Sequence, residues 1–316
     1  MLYQSTRNKI DTYTAHKVLH SSLKAGEGQV LPMVLPALAE EEMRNILSLP
    51  FADVVFSILD KFFPGKITAW DISCALGKTP VRVDAIGQKI LMGVLWDNRA
   101  NSAEYMITGI YNKLCGSENE KPTACARVAI TISLLFALFA EAKRQGIDQL
   151  DFAAAAGDLE TVFAAWYAKR MGLPIGTILC ACNENSNCWD FLHRGNLNTA
   201  AQVVNTALPE MDIQLPDYLE SLLYSVFGAG EVACYVSAVA SGKVYSLDEE
   251  QLLAANDGIY ACVVGSNRVG DVISSVKKTD NYSLDVYAAA VYGGVQDYRA
   301  KTGKHNFTLV WANHRP

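Results

Sequence analysis

The chain has 316 residues, half of them hydrophobic and 19% charged, which is enough for a large packed core and too apolar for a disordered chain. A formal charge of −6 and a pI near 5.4 exclude the basic surface that nucleic acids or anionic membranes require. Residues 1–8 turn polar at Gln4, and the longest apolar run, 128–140, falls short of the ~20 residues of a spanning helix; neither signal peptide nor membrane anchor is expected, and the protein reads as cytoplasmic.

Residues 1–88 read as a mostly helical lobe. Apolar residues recur at helical spacing through 14–23, 40–49, 52–63 and 69–76, with breaks at Gly26, Gly28, Pro32, Pro50, Pro64 and Gly65. His16 and His20 stand at i, i+4, a spacing compatible with a metal, but no His-Glu-x-x-His signature accompanies them. From Lys89 strands alternate with helices. The strands are expected at 90–95, 151–156, 177–183, 260–265 and 308–312. The helices are expected at 102–114, 127–145, 159–171, 218–227, 231–241, 248–255, 268–277 and 284–299. The fold class is α/β: a helical lobe, 1–88, then one sheet with helices on both faces, 89–316.

The eight cysteines form no Cys-x-x-Cys pair. Cys180 and Cys182 share one face of a strand, and Cys188 lies in the following helix. Three thiols could hold a soft metal, but buried thiols are the simpler reading, and no metal site is expected. His193, His305 and His314 have no partner at a triad or metal spacing and read as surface or capping residues.

The most telling stretch is 157–198. A strand of small residues meets Gly157, and Asp158 is placed to cap the next helix. That helix ends Ala168-Lys-Arg-Met-Gly-Leu-Pro-Ile175, and a Cys-rich strand then ends in Asn183-Glu184-Asn185. This is a βαβ unit with polar residues at strand C-terminal ends, where ligands of open α/β sheets sit.

The stretch resembles the threonine synthases, pyridoxal-phosphate (PLP) enzymes. Their helix ends Ala-Lys-x-Met-Gly-Leu-Pro-Ile and their strand ends Asn-x-Asn. Tyr3-x-Ser5-Thr6-Arg7-Asn8, Gly28-x-Val30-Leu31-Pro32, Thr206-x-x-Pro209-x-Met211-Asp212-Ile213, Pro216 with Glu220, and 308–316 also match family motifs, in order. The resemblance implies the large domain of threonine synthase as the fold.

The same resemblance shows what is missing. The family's lysine lies in Leu-Phe-His-Gly-Pro-Thr-x-Ala-Phe-Lys-Asp, and an ungapped match to the stretch from Leu95 puts Glu104 there. No lysine occurs between Lys89 and Lys113. Asn101-x-x-Glu104 also reads as a capping box, the simpler role for Glu104. The family's subdomain with its Ser-Gly-Asp-Thr-Gly phosphate loop is replaced by the short stretch 116–123. Arg127 matches the arginine of Asn-Ser-x-Asn-x-x-Arg without its asparagines. Asn313 stands for the threonine facing the pyridine nitrogen, and Tyr287 for a histidine.

These losses imply a pseudoenzyme with no catalytic residue and no PLP. Glu104, Arg127, Gly157, Asp158, Asn183, Asn185 and Asn313 would line a vestigial cleft. A homodimer is expected, since losing the subdomain exposes a sheet edge and a cleft wall. The cleft retains room for a phosphate or amino-acid derivative. The alternative is a threonine synthase-related enzyme, or a binder of PLP or a phospho-amino acid, with altered chemistry and completion by a partner chain.

Overall fold

Tyr3 and Tyr13, each flanked by more exposed residues, turn inward from the first two strands, β1 (Leu2–Ser5) and β2 (Thr12–Thr14). The computed structural model describes residues 1–8, 10–20, 27–77, 81–96, 103–117 and 121–316. Helix α1 (Ala15–His20) and strand β3 (Val30–Pro32) follow, and β1 pairs antiparallel with both β2 and β3. Three amphipathic helices complete this lobe: α2 (Glu40–Ser48), α3 (Phe51–Phe62) and α4 (Ala69–Leu76). Thr68 and Asp71 cap α4 reciprocally, satisfying two of its otherwise orphaned N–H groups.

Beyond it lie β4 (Arg82–Ile86), β5 (Ile90–Val94), α5 (Ala103–Cys115), α6 (Ala124–Arg144), β6 (Leu150–Ala155), α7 (Glu160–Arg170) and β7 (Ile175–Cys182). The chain continues through α8 (Asn187–Arg194), β8 (Asn196–Asn198), a 3-10 turn at Pro209–Met211, α9 (Leu219–Phe227), α10 (Ala229–Ser241) and β9 (Val244–Ser246). It ends with α11 (Glu249–Ala255), β10 (Ile259–Val263), α12 (Ser266–Asp280), α13 (Val286–Thr302) and β11 (Thr308–Ala312). Strands β8 and β9 form a small antiparallel pair.

The main sheet has the order β10-β7-β6-β11-β5-β4, parallel except for β4. The last strand of the chain thus sits in its middle. Successive residues of the central strands feed opposite faces, as the two-residue period of a strand requires. Leu91, Phe152, Ile178, Cys180 and Leu309 pack under α6 and α7. Met92, Ala153, Leu179, Ala181 and Val310 pack under α12 and α13.

Among the described residues, α6 is the one helix long and apolar enough to cross a membrane by composition, yet it is largely buried within the protein. It packs between α3 and α7 and approaches β5 so closely that a Cβ at Gly93 would stand 2.9 Å from a Leu138 methyl.

The five strands read from the sequence are all present, with ends moved by up to two residues. Two features of the N-terminal segment differ. It carries the three-stranded sheet as well as helices. The main sheet also begins at Arg82, inside the segment read as the helical lobe: β4 is an antiparallel edge strand. Arg82 and Asp84 face partly outward, so its apolar run is too short to stand out. The helix expected at 14–23 is described over Ala15–His20, and positions 21–23 lie outside the described residues.

Candidate functional site

A cleft of about 540 Å³ opens at the C-terminal ends of β6 and β11. Its floor is small, from Ala154 to Gly157, and Trp311, Asn313 and His314 follow from β11. Gly157 has φ +44°, and a Cβ there would come within 3.1 Å of the Glu210 carbonyl oxygen. Any other residue would push the Glu210 turn away. Asn313 ties two elements together, its carbonyl accepting the Ala103 N–H at 2.9 Å.

Charge dominates one wall. Arg127, on the first turn of α6, donates from Nη1 and Nη2 to the two carboxylate oxygens of Glu104 at 2.8 and 2.5 Å, and from Nε to Glu160. Glu160 also accepts the Thr131 hydroxyl at 2.8 Å. Burial by itself would lower the Arg127 pKa, but Glu104 and Glu160 outweigh it and hold it above its ordinary value. The Arg127 hydrogen bonds hold the half-exposed Glu104 carboxyl below its usual range. Burial, with the neighbouring Asp158 carboxylate, pushes the Glu160 pKa above its ordinary value, while Arg127 and Thr131, each donating to its carboxylate, pull it back.

The turn from β6 into α7 differs in detail from the expected Asp158 cap. Leu159, in the left-handed region at φ +68°, occupies the cap position. Asp158 still accepts the Glu160 N–H at 2.9 Å, so its carboxylate satisfies one orphan donor of the helix start. Burial raises the Asp158 pKa. A helix start would otherwise attract an external anion; here Asp158 and Glu160 supply the negative charge. The other end of α7 closes as read: Gly172, at φ +110°, donates to the Lys169 carbonyl and Leu173 to that of Ala168.

On the opposite wall His314 pairs through Nε2 with Glu210 at 2.9 Å and packs on the Tyr287 ring, centroids 4.9 Å apart. The Glu210 carboxylate raises the His314 pKa. The cleft therefore gathers four carboxylates, Glu104, Asp158, Glu160 and Glu210, against Arg127 and His314. No lysine lines it among the described residues.

The expected cleft residues thus divide. Glu104, Arg127, Gly157, Asp158 and Asn313 meet in the cleft, whereas Asn183 and Asn185 do not line it. Both asparagines are buried in a closed network. Asn183 donates to Thr206 at 3.0 Å and Asp212 at 2.6 Å. Asn185 donates to the Val204 carbonyl at 2.8 Å and accepts the Val204 N–H at 2.8 Å. They pin the 204–214 segment to the end of β7. Asn101, read as the cap paired with Glu104, lies outside the described residues; Glu104 is committed to Arg127. Glu160, Glu210 and His314 were not expected here: Glu210 and His314 are 104 residues apart, and no local spacing announces their pairing.

A second set of sequence matches is structural. Arg7 forks onto Glu220, donating from Nε at 3.0 and 3.1 Å and from Nη2 at 2.5 Å; Thr6 donates to the same carboxylate. The first strand's motif and the Pro216–Glu220 motif are two halves of one clamp between the N-terminal lobe and α9.

A family model described as "Threonine synthase N terminus" matches residues 2–79. The threonine synthase of Pseudomonas aeruginosa is 28% identical over 168 residues, covering 51% of this chain and 35% of that protein. The threonine synthase of Eremothecium gossypii is 32% identical over 127 residues, covering 40% of this chain and 24% of that protein. The chain thus spans about a third or less of the length of these curated relatives. The crystal structure of a PLP-bound threonine synthase from Brucella melitensis superposes with a TM-score of 0.87 at 18% identity, covering all of this chain and 89% of that one. At that identity the likeness is one of fold.

Proposed function

For a chain related to the threonine synthases, we propose a non-catalytic role: a cytoplasmic pseudoenzyme that keeps the scaffold as a binding or assembly module. One observation carries the reading. At the position matched to the family's lysine stands Glu104, and its carboxylate is held by both terminal nitrogens of Arg127. PLP enzymes of this fold hold the cofactor through a lysine amine. This cleft offers none along its described lining, so its residues do not fit the group.

The phosphate end fits no better. The helix start that would meet it carries Asp158 and Glu160, and Arg127, the one arginine of the cleft among the described residues, already serves two carboxylates. Four carboxylates against Arg127 and His314 favour a small amino-acid derivative carrying an ammonium group over a phosphate ion. The exposed Tyr105 and Val286, neighbours in sequence of the lining residues Glu104 and Tyr287, support a second copy covering the cleft mouth.

The test is turnover and assembly. With PLP and O-phosphohomoserine supplied, the protein is expected to release phosphate no faster than a buffer control, and to run as a dimer in light scattering. Enzyme-dependent phosphate release would overturn the non-catalytic reading. A strict monomer at micromolar concentration would overturn the assembly role.

A further inference from the structure

Away from the cleft, the geometry points to a buried three-cysteine site for a soft, thiophilic metal ion of the Cu(I) class, held by Cys180 and Cys182 of β7 and Cys188 of α8. The strand's two-residue period puts the first two thiols on one face, and the chain's return into α8 brings the third over them. The three Sγ atoms lie within 4.8 Å of one another, and the residues are 0%, 1% and 2% exposed. None is in a disulfide. Cys262 belongs to the opposite face of the sheet and is no part of the group.

Three ligands around an ion at metal–sulfur distances of about 2.3 Å stand about 4 Å apart, so the cluster needs only a small contraction. Thiolates select soft ions, and no histidine, carboxylate or fourth cysteine among the described residues joins the group. Structural zinc takes four ligands, which leaves three-coordinate monovalent copper as the better match. Binding forms three copper–sulfur bonds, sends the three thiol protons to solvent and changes no oxidation state. The complex is anionic, and the site holds a partial counter-charge. Cys188 lies on the first turn of α8, where the positive end of the helix dipole favours a thiolate. The sequence alone favours inert thiols here, because spacing says nothing of how close the sulfurs come.

The test is anaerobic titration of the reduced full chain with Cu(I) held by a competing chelator. The expected result is one ion per chain, a near-ultraviolet thiolate-to-copper band and a raised melting temperature. Cys188→Ser should abolish the band, while Cys234→Ser and Cys262→Ser keep it. Loading only through the exposed Cys234, or a Cys188→Ser protein that loads like the wild type, would overturn the assignment. If Cys188→Ser does not fold, copper X-ray absorption on the loaded wild type decides. Three sulfur neighbours support the site, and nitrogen or oxygen neighbours overturn it. Zinc binding as tight as copper's would likewise overturn the three-coordinate reading.

Discussion

The turns that end β6 and β7 stand side by side, and each places polar side chains, Asp158 or Asn183 and Asn185, where a strand meets a helix. They do opposite things. After β7, Asn183 and Asn185 spend their side chains on Thr206, Asp212 and Val204, so that turn is a buried fastening. After β6, Gly157 and Asp158 open onto a cleft lined by carboxylates and by Arg127. Position at a strand's C-terminal end makes a ligand site available; whether the protein's own groups already take the polar atoms decides if it is one.

The largest effect should come from opening the cleft's charged wall. Arg127→Leu strands the buried Glu160 and should cost about 3 kcal/mol in urea denaturation, most of it recovered in the Arg127→Leu/Glu160→Leu double variant. No recovery in the double variant would mean that Arg127 acts through something other than this pair. The closed turn should come next. Asn185→Ala leaves the Val204 N–H and carbonyl without their partner and should cost about 2 kcal/mol while leaving ligand-induced thermal shifts unchanged. A change in ligand response from that variant would erase the contrast between the two turns.

Smaller still is Glu104→Gln, on a half-exposed pair, at less than about 1 kcal/mol. It removes one negative charge facing Arg127, so calorimetry should find inorganic phosphate binding more tightly than in the wild type. The smallest effect is a titration. Glu210 raises the His314 pKa above its unfolded value, so the pair's contribution is fully present below ~6.5 and fades as pH rises through the folded value. Proton NMR should show His314 titrating above an ordinary histidine, and Glu210→Gln should lower it. An unchanged midpoint in that variant would remove Glu210 from the cleft's electrostatics.

Much of this was legible beforehand, for identifiable reasons. The parallel strands announce themselves because both faces are covered, which makes them near-continuous apolar runs such as Thr308–Ala312. The amphipathic helices carry a 3.6-residue period. Strand β4 was missed because an edge strand carrying Arg82 and Asp84 shows little apolar pattern. In the cleft, Glu104 and Arg127 were visible one at a time, but their pairing spans 23 residues and depends on how α5 meets α6. Asn183 and Asn185 misled because a polar turn looks the same from sequence whether its partners are a ligand or the 204–214 segment. His314 was read as surface because Glu210 reaches it only through the fold.

We propose that the cleft, with Glu104 held by Arg127 where the related enzymes carry a lysine, does not hold PLP. The most direct measurement is borohydride reduction of the full chain after incubation with PLP, followed by peptide mass spectrometry. The account predicts no visible cofactor band and no stoichiometric label on any lysine. A single lysine labelled to one equivalent, with a band that reduction abolishes, would contradict it.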